Sequence, residues 1–285
     1  IRDRGIVGVQ ICICVPIIVF QFCKGKEFFS KEYWGYALRI GIPIVPHYLS
    51  GIILNQGDRI MIDKMVGKTE VALYGLAYSI GMLVQLFISG MNSALTPWMY
   101  SKIKKGDIRS MRKVLQLLSV VVVGIAVALM LISPELVLIF GSPKYREAVY
   151  VIPPVAASVF FIFIYNILSM PQFYYEKTQF LMVASMAAAG ANVVLNFIFI
   201  HLFGYIAAGY TTLACYMLYS VGHYIVSKRI LVNEGIQENL MSPGFLVACS
   251  VFLIGASIIC NLIFPYRILP VSYTHLRAHE TCADL

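Results

Sequence analysis

The sequence predicts an all-α, polytopic transmembrane helical bundle, and three observations predict it. Hydrophobic residues make up 59% of the 285 and charged residues 13%, more apolar content than a soluble core of this length calls for. Mostly apolar runs of about 18 residues or more recur along nearly the whole chain, each long enough to cross a bilayer as a helix. Charged and amide side chains inside those runs fall on helical stripes, the pattern of helices that face a cavity or one another.

Eight spans are expected, at 6–23, 36–60, 71–97, 114–140, 150–170, 180–202, 206–226 and 244–264. The chain opens at Ile1 with Arg2, Asp3 and Arg4 close before the first run, and reads as a fragment without an initiator Met or a signal peptide. The second span carries the most information. Arg39, Pro43, His47, Ser50, Leu54 and Asp58 follow at steps of three or four, so the polar groups share one stripe and the helix lines a pathway. Pro43 and Pro46 each remove a backbone donor, which predicts a kink or local unwinding. Such a bend serves substrate contact and plain packing equally well. Asn55 and Arg59 extend the polar set, and Asp58 and Arg59 are expected to neutralise each other near the outer surface, with a gating or ion-coupling role as the alternative.

A turn containing Gly67 leads into 71–97, where Gly75, Ala77, Ser79, Gly81, Ser89 and Gly90 predict close helix contact. Tyr74, Tyr78, Gln85 and Asn92 lie near one face and predict a polar cavity wall. The basic cluster Lys102, Lys104, Lys105, Arg109, Arg112 and Lys113 reads as a cytoplasmic loop, with anionic lipid as an alternative contact. Tyr174 and Tyr175 are expected to anchor at the interface, and Asn166, Asn192 and Asn196 to line the cavity or join helices. Residues 270–285 abandon the apolar pattern and are expected to be a non-native tail.

The net charge of +8 sits in short loops, which argues for membrane orientation and against nucleic acid. Assigning loops alternately to the two sides, thirteen Lys or Arg fall in the set Lys24 to Arg39, Lys102 to Lys113, Lys177, and Lys228 with Arg229, and eight on the other side. The richer side is expected to be cytoplasmic. Cys12, Cys14, Cys23, Cys215, Cys249 and Cys260 lie in or beside apolar spans and read as packing residues, not as a disulfide frame or a metal site. His275, His279 and Cys282 have ligand-like spacing but fall in the suspect tail. No phosphate-binding Gly-rich loop, His-Glu-x-x-His or Gly-x-Ser-x-Gly motif occurs, and no loop is long enough to house a catalytic domain. No cofactor, metal or enzymatic activity is expected.

The run Leu49 to Tyr78, containing Asn55-Gln-Gly-Asp58-Arg59-Ile-Met-Ile-Asp63-Lys-Met-Val-Gly67-Lys-Thr-Glu70-Val-Ala-Leu-Tyr74, resembles the start of the second lobe of Wzx-like oligosaccharide flippases. These are the polysaccharide-biosynthesis branch of the multidrug/oligosaccharidyl-lipid/polysaccharide (MOP) exporter superfamily. The run Ala191 to Leu213, with Asn192, Asn196, Gly204, Ala208, Thr211 and Thr212, is similar to that family's Asn-rich helix, Gly turn and small-residue helix. The resemblance covers about residues 1–265. It implies a two-lobe MATE/MOP-type transporter: 1–23 as the last helix of a truncated first lobe, 36–226 as a six-helix second lobe, and 244–264 as an additional helix. It further implies an undecaprenyl-pyrophosphate-linked oligosaccharide, moved from the cytoplasmic to the outer leaflet of a bacterial inner membrane for O-antigen, capsule or exopolysaccharide synthesis. Membrane lipids, a polysaccharide polymerase and glycosyltransferases are the further expected partners.

The substrate-path candidates are Arg39, His47, Ser50, Asn55, Asp58, Arg59, Tyr78, Gln85, Asn92, Asn166, Asn192 and Asn196. Arg39 ranks first for an anionic head group, because guanidinium holds its charge and forms paired bonds to phosphate. A cation-coupled multidrug exporter of the same superfamily would present an acidic cavity. A membrane glycosyltransferase or polysaccharide polymerase would carry a large outward loop, which this chain lacks.

Overall fold

The computed structural model describes residues 2–25 and 29–283, with side chains described over 7–25 and 29–266. His275, His279 and Cys282 therefore lie outside the described side chains. Among the described residues nine α-helices follow one another: α1 Arg2–Gly25, α2 Lys31–Met65, α3 Lys68–Gly81, α4 Leu83–Lys104, α5 Ile108–Phe140, α6 Ile152–Tyr174, α7 Thr178–Phe203, α8 Ile206–Asn233 and α9 Pro243–Ala283. A 3₁₀ segment, Pro143–Val151, precedes α6, and no strand occurs among the described residues. The backbone of 270–283 continues α9 as helix.

Contacts divide the chain into two compact units, Ile1–Ile42 and Pro43–Leu285. In the first unit, every described side chain of α1 is exposed, as suits an apolar helix facing lipid. The second unit is built around α6. Its sequence is apolar on all sides, with no charge between Ile152 and Tyr174, and a helix of that kind belongs inside a bundle. Nearly all of it is buried, and α8, α5, α4, α9 and α3 pack around it. α5 shows the complementary pattern. Its buried residues Met111, Leu115, Ser119, Val122, Ala126, Met130 and Val137 form one stripe, while Leu117, Val120, Leu131 and Ile139 face outward.

Among the described residues seven segments are long and apolar enough to cross a membrane, where the sequence predicts eight. The expected span 206–226 falls in α8, which has the length but is not among the seven. Thr211, Thr212, Tyr216, Tyr219, Ser220, His223 and Ser227 lower its apolarity, and all seven are buried against the other helices. Inside a bundle, a helix can trade apolar surface for internal hydrogen bonds.

The expected span 71–97 is two helices, broken at Met82 (φ −84°, ψ 1°). The break coincides with a close approach: a Cβ on Gly81 would lie 2.6 Å from Val155 Cγ1, so α3 and α6 touch where only glycine fits. Gly75 and Gly90, also expected at close contacts, face open space. α2 continues as helix through Pro43 and Pro46 from Lys31 to Met65, without unwinding. Ser50 Oγ donates to the Pro46 carbonyl at 2.7 Å.

Candidate functional site

Two polar regions form in the second unit, and adjacent residues of α2 divide between them. The first is dry. Asp58 is 0% exposed, and three neutral donors reach its carboxylate. Tyr74 Oη donates to Oδ2 at 2.5 Å, Thr212 Oγ1 to Oδ2 at 2.7 Å, and Asn196 Nδ2 to Oδ1 at 2.5 Å. A second tier holds those donors in place. Asn196 Nδ2 also donates to Asn192 Oδ1 at 3.2 Å, Asn192 Nδ2 donates to Thr212 Oγ1 at 3.4 Å, and Thr211 donates to Asn196 Oδ1. Helices α2, α3, α7 and α8 each contribute, so the node ties four helices together. A buried carboxylate persists when its lone pairs are filled in this way.

The second region is an open cavity of about 700 Å³, walled by α2, α3, α6 and α8. From α2 come His47, Asn55, Gln56 and Arg59; from α3, Tyr78; from α6, Tyr165, Asn166, Ser169 and Phe173; from α8, Tyr216 and Tyr219. The ring of Tyr165 lies parallel to that of Tyr216, 7° apart at 6.2 Å, and 4.5 Å from that of Tyr219. Asn55 ties the upper wall together: its Oδ1 accepts from Tyr78 Oη at 2.8 Å and from Tyr216 Oη at 3.4 Å. Lower down, Tyr219 Oη and His47 Nδ1 lie 3.0 Å apart. Among the described residues, none that lines the cavity is acidic.

Arg59 stands over the Tyr78 ring, its guanidinium carbon 5.2 Å from the centroid. Its one described hydrogen bond is long, Nη1 to Gln56 Oε1 at 3.4 Å, and its Nε is buried without a partner. No ion pair joins it to Asp58, which corrects the expected mutual neutralisation. Consecutive residues of a helix point about 100° apart, so Asp58 turns into the bundle while Arg59 turns to the cavity.

The other candidates divide similarly. His47, Asn55, Tyr78 and Asn166 line the cavity, and Asn192 and Asn196 belong to the Asp58 node. Ser50 is buried and spends its hydroxyl on its own helix. Arg39 lies in the first unit and is exposed. Gln85 and Asn92 sit on α4, past the break at Met82, so they leave the face that carries Tyr74 and Tyr78. They do not line the cavity, and Gln85 Oε1 and Asn92 Oδ1 are buried without a partner. Tyr174 packs edge-on against Tyr100 at 5.4 Å.

Sequence reading missed Thr211, Thr212, Tyr216 and Tyr219 as a set. Their signal is the α8 stripe Thr212, Tyr216, Tyr219, His223, Ser227, spaced by three or four. His223 on that stripe forms a separate buried contact, with Gln172 Nε2 2.8 Å from its Nδ1. Among the described residues no cluster of His, Cys, Asp or Glu has the makings of a metal site.

Residues 7–104 match the family model of polysaccharide biosynthesis proteins. A protein of the Lsg locus of Haemophilus influenzae is 29% identical over 172 residues, which cover 56% of this chain and 41% of the relative. An uncharacterised membrane protein of the same organism is 28% identical over 183 residues, 60% of this chain and 44% of the relative. The chain thus spans less than half the length of the curated relatives it matches. A solved MOP superfamily transporter from Pyrococcus furiosus aligns with a TM-score of 0.52 at 20% identity, over 78% of this chain and 52% of that one. These likenesses bear out the resemblance to polysaccharide biosynthesis proteins, and the fold is that of a MOP superfamily transporter.

Proposed function

We propose that this multi-pass membrane protein, with its MOP transporter fold and its polysaccharide biosynthesis family match, moves a lipid-linked oligosaccharide from the cytoplasmic to the outer leaflet of a bacterial inner membrane. The cavity carries this reading. Its polar wall of tyrosines, amides and one arginine stands inside an apolar bundle, where unpaired polar groups are costly unless water or a ligand meets them. Flat aromatic faces beside amides suit sugar rings, which present C–H groups on their faces and hydroxyls at their edges. The polyprenyl tail stays in lipid while the glycan occupies the cavity.

The cation-coupled multidrug exporter gains less support, because an organic cation calls for an acidic wall and the lining is neutral or basic. Asp58, the one deeply buried carboxylate described, lies behind the wall in the dry node. The test is surface glycan in a flippase-deficient host, with variants expressed in full-length context and compared at matched protein levels. Tyr165→Leu removes the central ring of the wall and is expected to lower surface glycan about tenfold. Wild-type glycan from Tyr165→Leu would remove the cavity from the transport path.

A further inference from the structure

A second, apolar depression lies on another side of α8. It is a groove of about 190 Å³ walled by α8 and α9, with α6 beneath. Phe160 and Phe161 of α6 form its floor and are buried, while Val221 of α8 and Val247 of α9 stand on its rims, 56% and 62% exposed. The groove shares no lining residue with the polar cavity. Successive residues of a helix point about 100° apart, so Tyr216 and Tyr219 turn to the cavity while Met217 and Val221 turn to the groove. Tyr224 and Pro243 mark one end of it, and Met217 and Ser250 the other. Seven residues of helix separate those ends on each wall, roughly 10 Å, which fits within one leaflet, about 15 Å of hydrocarbon.

The α8 wall changes character along its length. Met217, Val221, Tyr224 and Lys228 follow at steps of four, three and four, so one face runs from apolar side chains through an aromatic ring to a cation. The Tyr224 hydroxyl has no partner. Lys228 is exposed, and among the described residues no ion pair engages it. Arg112 of α5 lies within electrostatic reach of the Tyr224 hydroxyl. It is tied to the loop before α9, with Nε donating to the Asn239 carbonyl at 2.7 Å and Nη2 3.8 Å from Glu238. Arg109 and Lys113 beside it are exposed and, among the described residues, without an ion pair. The Tyr224 end of the groove is therefore basic, and its body accepts only hydrocarbon. An unfilled apolar furrow would forfeit contacts along its whole lining. We propose that the groove holds one anionic phospholipid of the leaflet on the side of the basic loops, an acyl chain lying between α8 and α9 and the phosphate at the Tyr224–Lys228 turn. Such a lipid fastens α9 to the bundle where its own side chains leave a gap. Separation from the cavity by α8 favours a resident lipid over the tail of a cavity substrate, and the proposal does not depend on what the cavity carries.

Native mass spectrometry of the purified full chain in detergent tests the site with three probes. They are dioleoyl phosphatidylglycerol, dioleoyl phosphatidylcholine, which has the same chains and no net charge, and undecaprenyl phosphate. Wild type is expected to retain one phosphatidylglycerol about fivefold more tightly than phosphatidylcholine, the contribution of one basic residue at a membrane surface. Lys228→Gln should bring phosphatidylglycerol down to the phosphatidylcholine level and leave phosphatidylcholine unchanged. Val221→Trp fills the groove from its exposed rim and should abolish retention of both. Lys144→Gln, an exposed cation beyond the far end of α5, should bind as wild type does. Unfolding midpoints without lipid will show that the variants are folded, and phosphatidylglycerol should raise the midpoint of wild type but not of Val221→Trp. Equal affinity of wild type for the two phospholipids, or undiminished phosphatidylglycerol retention by Lys228→Gln or Val221→Trp, overturns the site. Tighter retention of undecaprenyl phosphate than of phosphatidylglycerol, lost in Val221→Trp, assigns the groove to the substrate's tail and overturns it equally.

Discussion

Asp58 and Arg59 are neighbours in sequence and opposites in setting. The carboxylate sits where water does not reach, with donors from three other helices on its two oxygens. The guanidinium sits on a cavity with one long hydrogen bond and an aromatic ring. Saturation separates the two roles. A buried charge whose partners are all supplied by the fold holds helices together, whereas a charge left short of partners has capacity for something that comes and goes. The comparison predicts that the two residues fail in different assays.

Asp58→Ala carries the largest expected effect. It strands Tyr74, Thr212 and Asn196 in a dry interior and should destabilise the fold by on the order of 3–5 kcal/mol, read as a lowered unfolding midpoint in detergent. Asp58→Asn keeps one acceptor and should fall between. A wild-type midpoint for Asp58→Ala would show that the node is ornamental and break the contrast.

Arg59→Gln should do the reverse. Removing a cation short of partners leaves the unfolding midpoint no lower than wild type, while surface glycan in the complemented host falls about tenfold or more. Lys105→Ala, in a basic loop where neighbouring charges substitute for it, is the control and should export normally. If Arg59→Gln and Lys105→Ala export alike, the cavity cation has no role.

Smaller effects sharpen the comparison. Tyr219→Phe deletes the hydroxyl that meets His47 at 3.0 Å. It should cost about 1 kcal/mol of stability, since the cavity gives His47 water as a replacement partner. A loss as large as that of Asp58→Ala would mean that the cavity wall is as dry as the node.

The smallest effect belongs to the loop before α5. There Lys102 Nζ lies 2.5 Å from Asp107 Oδ2, and Asp107 caps the helix by accepting from the Ser110 N–H at 3.3 Å. The bond from Lys102 holds the Asp107 carboxyl below the usual carboxylate range. A depressed value in the folded state means that the stabilisation is complete above the ordinary carboxylate pKa and is lost as pH falls through the depressed one. Asp107→Asn should flatten that acidic limb of the stability profile slightly. An unaltered limb would assign the dependence to other carboxyls.

Much of this molecule follows from the sequence alone. Apolar runs at membrane length mark where the helices lie, though not always where they end, because in hydrocarbon the backbone has no other way to satisfy its hydrogen bonds. The stripe on α2 marks Pro43, Ser50, Leu54 and Asp58 as inward-facing, since helical spacing fixes direction without knowledge of the neighbours, whereas Arg39 at its start is exposed. Tertiary structure decided the rest. Whether Tyr74 and Tyr78 share a wall with Gln85 and Asn92 depended on the break at Met82, which follows from the fit of Gly81 against Val155 on α6. That Asp58 joins Asn196, 138 residues away, and not Arg59 beside it, depended on which helices meet. Periodicity gives the face a residue occupies, but its hydrogen-bond partner is a property of the packed bundle, where the low dielectric makes each choice of partner decisive.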